Sequence, residues 1–139
     1  MTTQHHFDAL FTDFEKALSG FKESLMLDIT SYNASLADTV KSGQMQKFEY
    51  CAELSWKVSR SLLQYKYQII ANSPVTVYRE LFNQFIIDDG DCSALLTMIK
   101  DRNMLSHVYK EEMAEKIYPR LPDHCVLLSS LFQKLKVQK

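Results

Sequence analysis

The chain has 139 residues, of which 46% are hydrophobic, and a formal net charge of −1. That length suits one domain able to bury roughly two thirds of the surface it exposes unfolded, and the apolar share excludes disorder as the default. Mixed acids and bases exclude a protein that coats nucleic acid by bulk charge, though not a local basic site, and three glycines and three prolines are too few for the frequent turns of an all-β fold.

Phe7, Leu10, Phe11, Phe14, Leu18, Phe21 and Leu25 recur at spacings of three and four, which predicts an amphipathic helix from residue 6 to about 28. The polar stretch 29–41 reads as a loop with room for a short helical turn. Ser42 is placed as the cap of a second helix with the stripe Met45, Phe48, Cys51, Ser55, Val58, Leu62, Tyr65 and Ile69, ending near Asn72. Ser73-Pro74 marks the start of a third, short helix through Val77, Leu81 and Phe85.

In "IIDDGD" the acids read as a turn with Asp91 as N-cap, because the distal ligands of a calcium loop are missing. A fourth helix follows through Leu95, Met98, Ile99 and Arg102. The last starts near Lys110, where Glu111 and Glu112 suit its positive end, and Pro119 and Pro122 break it around 118–122. A stripe of Val126, Leu127, Leu131 and Leu135 completes the chain. The fold class is all-α: an up-and-down helical bundle of four to five helices, in one domain over residues 1–139.

Cys51, Cys92 and Cys125 are odd in number, far apart and without a CxxC spacing, which points to buried reduced thiols rather than a zinc site or disulfides. No metal and no cofactor is expected. The N-terminus lacks the pattern of a signal peptide, and no apolar run approaches the ~18 residues of a membrane span. A soluble, cytoplasmic protein with no membrane partner is expected. His5 and His6 read as frayed terminus and His124 as a surface residue.

"DRNMLSHVY", residues 101–109, ends the fourth helix with Arg102, Asn103, His107 and Tyr109. Leu95, Met98, Arg102 and Tyr109 fall on one line, so the arginine continues an apolar stripe and must meet a partner or line a cleft. His107 is five residues past Arg102, about 140° around a straight helix at ~100° per residue. The two converge only if the helix ends or bends around Leu105, or with copies from a second subunit. Asn103 and His107, four apart, share a face if the helix continues that far. Glu49, Glu53, Trp56 and Arg60 form another line on the second helix. It is either a solvated, salt-bridged face with Trp56 at its edge, or it brings Glu53 or Glu49 to Arg102.

"RNMLSHVY" resembles the Arg-(four residues)-His-x-Tyr motif of HEPN-domain toxins of the HepT type, in particular the branch called nucleotidyltransferase substrate-binding proteins. "FEYCAELSWK" (48–57), "SPVTVYRELFNQFIIDDGD" and "DRNMLSHVYKEEMAEKIY" resemble that family's segments in the same order, over roughly residues 42–121. The resemblance implies the HEPN helical fold, a homodimer, and a partner nucleotidyltransferase of the minimal (MNT) type in a heterotetramer or larger assembly. It also implies a metal-independent endoribonuclease acting on RNA, with Arg102, His107 and Asn103 as catalytic residues; Glu49 and Glu53 would support them if their line on the second helix reaches Arg102.

His107 exchanges protons near neutrality. Arg102 offers fixed-charge donors to phosphate oxygens, and Asn103 orients without adding charge. A homodimer would supply two histidines, one as base and one as acid. Tyr109 matches the tyrosine to which the partner attaches AMP in such toxin–antitoxin pairs. The alternative is a non-catalytic subunit that binds a substrate or nucleotide for the nucleotidyltransferase. This chain has no Gly-Ser…Asp-x-Asp signature of its own, so the partner must bring that chemistry.

Overall fold

Phe7, Phe11, Phe14, Leu18 and Phe21 are all buried on the first helix, α1 (Thr2–Ser24), as their spacing predicts. The computed structural model describes residues 2–106 and 110–139. His5 and His6 belong to α1 and are exposed.

After a 3-10 turn (Ile29–Ser31), α2 (Ala34–Tyr67) begins well before the expected Ser42. Its cap is Asn33, whose side chain accepts from the Leu36 N–H at 2.9 Å. Ser42 lies exposed inside the helix. The first two turns of α2 bury nothing, since its buried side chains begin at Gln44, so no apolar stripe marks them. At its far end α2 stops at Tyr67 rather than near Asn72, because Gln68 turns left-handed at φ 54°. The stripe Met45, Phe48, Cys51, Ser55, Val58 and Leu62 is buried as read. Ser55 is satisfied there by the Tyr78 hydroxyl at 2.5 Å and by the Ala52 carbonyl.

Ser73 caps α3 (Pro74–Asn83) through the Thr76 N–H. The cap of α4 (Asp89–Ser106) is Asp88, not Asp91. The Asp88 carboxylate accepts from the Asp91 N–H at 2.7 Å and Asp91 reaches back to the Asp88 N–H, a reciprocal box. Asp91 also pairs with Lys134 from the last helix.

The C-terminal run is broken where the prolines predict: α5 (Lys110–Ile117), a 3-10 turn (Tyr118–Arg120), then α6 (Leu121–Val137). The face that α6 buries is Leu121, His124, Cys125, Leu128, Leu131, Phe132 and Leu135. Leu131 and Leu135 are buried as read, but Val126 is 71% exposed and Leu127 half-buried, so the first half of the stripe runs through His124, Cys125 and Leu128 instead.

α2 is the hub of this all-α bundle, packing on α1, α3, α4 and α6, while α3 lies on α4 and α1 also meets α6. The buried side chains of these helices join in one cluster. No helix among the described residues is long and apolar enough to cross a membrane.

Candidate functional site

Met98 and Leu105 are buried and define the inward direction of α4. At ~100° per residue, Arg102 and Asp101 fall on opposite shoulders of that direction. Arg102 leans toward α2, where its Nη2 lies 3.4 Å from Glu53 Oε2; both side chains are about 30% exposed or less. Glu53 is shared: Lys57 Nζ is 3.4 Å from its Oε1, and the Trp56 indole N–H donates to its Oε2 at 3.2 Å. The Arg60 guanidinium stacks over the Trp56 ring, 4.8 Å from the centroid. The line on α2 thus does both things considered for it, forming a charged face at half depth and bringing Glu53 to Arg102.

Glu49, one turn earlier, has a buried Oε1 that accepts no hydrogen bond among the described residues. Asn103 is exposed on the shoulder beyond Arg102. His107 and Tyr109 lie outside the described residues.

Beside Leu105 a groove of about 730 Å³ opens between α2 and α5. Met45, Leu105 and Ala114 are apolar parts of its wall, and Tyr118 closes one side, with Lys41 Nζ 5.1 Å from its ring centre. The Tyr118 hydroxyl donates to Gln44 at 2.6 Å. Burial raises the pKa of this phenol, which stays protonated near neutrality. Asp38, Glu49, Glu111 and Glu115 also face the groove, so its charge is negative.

On the other shoulder of α4, Asp101 is 3% exposed. It accepts from Arg120 at 2.7 Å and meets His124 Nε2 at 2.8 Å. The His124 ring is stacked on Phe48, 5.1 Å between centroids and 14° from parallel. His124 is therefore a core residue, 7% exposed, where a surface position was expected. Sequence reasoning missed this trio. The signal was present: His124 is four residues before Leu128 and seven before Leu131, and Asp101 is three residues after Met98 and four before Leu105, all helical spacings.

The model of the family described as "nucleotidyltransferase substrate binding protein like" matches residues 9–137. The chain belongs to that family. A curated relative from Haemophilus influenzae, "Probable ribonuclease HepT", is 29% identical over 135 residues, covering 93% of this chain and 88% of that protein. Among solved structures, a protein from Thermus thermophilus is 30% identical with a TM-score of 0.75, over 88% of this chain and 98% of that one. A second, from H. influenzae, is 27% identical with a TM-score of 0.65, over 95% and 98%. It was described as revealing the fold of a substrate binding domain of a nucleotidyltransferase. The family thus accords with the resemblance read from the motif and with the helical bundle.

Proposed function

We propose that the protein is a metal-independent endoribonuclease whose site is assembled from two copies of the 101–109 motif and which a partner nucleotidyltransferase silences. The observation that carries this is Arg102: the motif's arginine leaves α4 partly exposed and is held by Glu53 from α2. A tethered guanidinium presents fixed donors to a phosphate without first losing its own freedom. In the reaction, the RNA 2′-hydroxyl gives its proton to one His107 and attacks the adjacent phosphorus. The P–O5′ bond breaks, the second His107 returns a proton to the leaving 5′-oxygen, and a 2′,3′-cyclic phosphate remains. Arg102 neutralises the charge that gathers on the phosphoryl oxygens, and Asn103 orients the histidine or substrate. The similarity to a probable ribonuclease supports this reading.

Tyr50, three residues before Glu53, is 56% exposed, which supports a second copy meeting this face of α2, since tyrosines are common at interfaces. Regulation follows from Tyr109: its hydroxyl, giving up its proton to water, attacks the α-phosphorus of ATP in the partner's site, pyrophosphate leaves, and the AMP that stays occupies the charge of Arg102. The family description and the substrate-binding description of the H. influenzae structure support a nucleotidyltransferase as that partner.

The second reading, a non-catalytic binding subunit, is favoured by the groove beside Leu105, whose size suits a small ligand. Its carboxylates disfavour a polyanion there, so RNA in the first reading crosses the α2–α4 face instead. Inducing the protein alone in a bacterial host, beside His107→Ala, separates the two. Toxicity with loss of RNA, abolished by the substitution, supports the ribonuclease; harmless, soluble expression of the wild type overturns it in favour of the binding subunit.

A further inference from the structure

We propose that Asp101 is a positioning residue for the motif: with Arg120 and His124 it clamps the end of α4 in one rotation, and that rotation aims Arg102. The proposal rests on the ribonuclease reading for its catalytic consequence, but the clamp itself is a matter of geometry.

Asp101 and Arg102 are neighbours in sequence, so their side chains leave α4 about 100° apart. One is tied to the 3-10 turn and α6, the other to α2. A roll of α4 that carried Arg102 away from Glu53 would have to pull Asp101 out of its two contacts. Asp101 is the firmer of the two ties, because its side chain is 4% exposed, against 28% for Arg102. Pulling a buried carboxylate from its donors without replacement is costly, whereas a half-wet ion pair exchanges readily with water.

His124 is itself held, flat against Phe48 of α2, so the clamp joins α2, α4 and α6 at one level. The proline break makes this possible. With Pro119 in the 3-10 turn and Pro122 in the first turn of α6, Arg120 and His124 both reach the same carboxylate. α5 begins four residues after Ser106, so the rotation set at Asp101 is fixed close in sequence to the rest of the motif.

The chain has four arginines, so the side-chain Nε–H signals of ¹⁵N-labelled protein are few, and that of Arg102 is assigned by its loss in Arg102→Lys. The test compares wild type, Asp101→Asn, Arg120→Gln and Phe132→Leu, the last a packing change on α6 two turns beyond the clamp. Each is first checked by circular dichroism for retained helix. In Asp101→Asn the Arg102 signal moves or broadens, and kcat for RNA cleavage falls on the order of tenfold to a hundredfold with KM little changed. Phe132→Leu leaves both readouts at wild type.

Arg120 is about half exposed, so Arg120→Gln keeps the core closed and gives a smaller change in the same direction. It decides the matter if Asp101→Asn does not fold. A wild-type Arg102 signal in the folded clamp variants overturns the proposal, as does an equal kcat loss in Phe132→Leu. If the wild type cuts no RNA, the ribonuclease reading fails by itself, and the Arg102 signal still decides the clamp.

Discussion

Raising the pH into the alkaline range should weaken the fold, and Cys51 sets the scale. Its side chain is fully buried, and loss of hydration pushes the thiol up from 9.0 to about 12, with the neighbouring Cys125 adding to the rise and Lys47 opposing it. In the unfolded chain the thiol is in water and ionises in its ordinary range. Between those limits the unfolded state has lost a proton that the native state keeps. The native state therefore binds more protons, and stability falls as pH rises.

The contribution is intact below pH 9 and is lost progressively toward 12, at about 1.4 kcal/mol per pH unit. At about pH 10.5 the loss from this one group is about 2 kcal/mol, out of a total that is about 5–15 kcal/mol for a typical domain. Tyr78, fully buried and also raised chiefly by burial, acts in the same direction above pH 10. Urea unfolding followed by circular dichroism at about pH 8 and about pH 10.5 measures the difference. Cys51→Ala should start somewhat less stable, for lost packing, but show the shallower decline. A midpoint that does not move between the two conditions, or a decline in Cys51→Ala as steep as in the wild type, would refute the reasoning.

Asp101→Ala leaves the buried His124 without its acceptor, and should cost about 2–4 kcal/mol with little added by the half-exposed Arg120. Thermal melting should show this as a fall of about 6–14 °C. Sedimentation at micromolar concentration should give a homodimer, and a monodisperse monomer would contradict the two-copy site. Co-expression with an active partner nucleotidyltransferase, ATP being present, should add AMP at Tyr109 and suppress activity, while Tyr109→Phe escapes. Intact-mass spectrometry with peptide mapping checks this, and an unmodified Tyr109 would contradict it.

Helices with a strong apolar stripe were legible in the sequence: α1, the central part of α2, and α3 with its Ser73-Pro74 start. What was not legible followed from side chains that do not announce burial. The first turns of α2 carry no stripe because they pack on little, so their start was set by Asn33 and not by periodicity. On α6, Val126 and Leu127 drew the stripe toward themselves, whereas the buried line runs through His124 and Cys125.

The pairing of Arg102 with Glu53 was one of two open readings, because spacing along a helix fixes a face but not the neighbour across it. Asp101 went unread for a related reason. A buried carboxylate is costly alone, and its two partners lie beyond a proline break, which periodicity does not carry across.

Metal-free cutting of RNA by Arg102 and His107 is the step on which the proposed ribonuclease function stands. The direct measurement is single-turnover cleavage of a labelled RNA by purified protein in excess EDTA, with Arg102→Ala and His107→Ala run beside the wild type. Cleavage by the wild type should be unchanged by chelation, with a cyclic phosphate at the new 3′ end, and neither folded variant should cleave. Cleavage lost on chelation and restored by magnesium, or undiminished in His107→Ala, would contradict it.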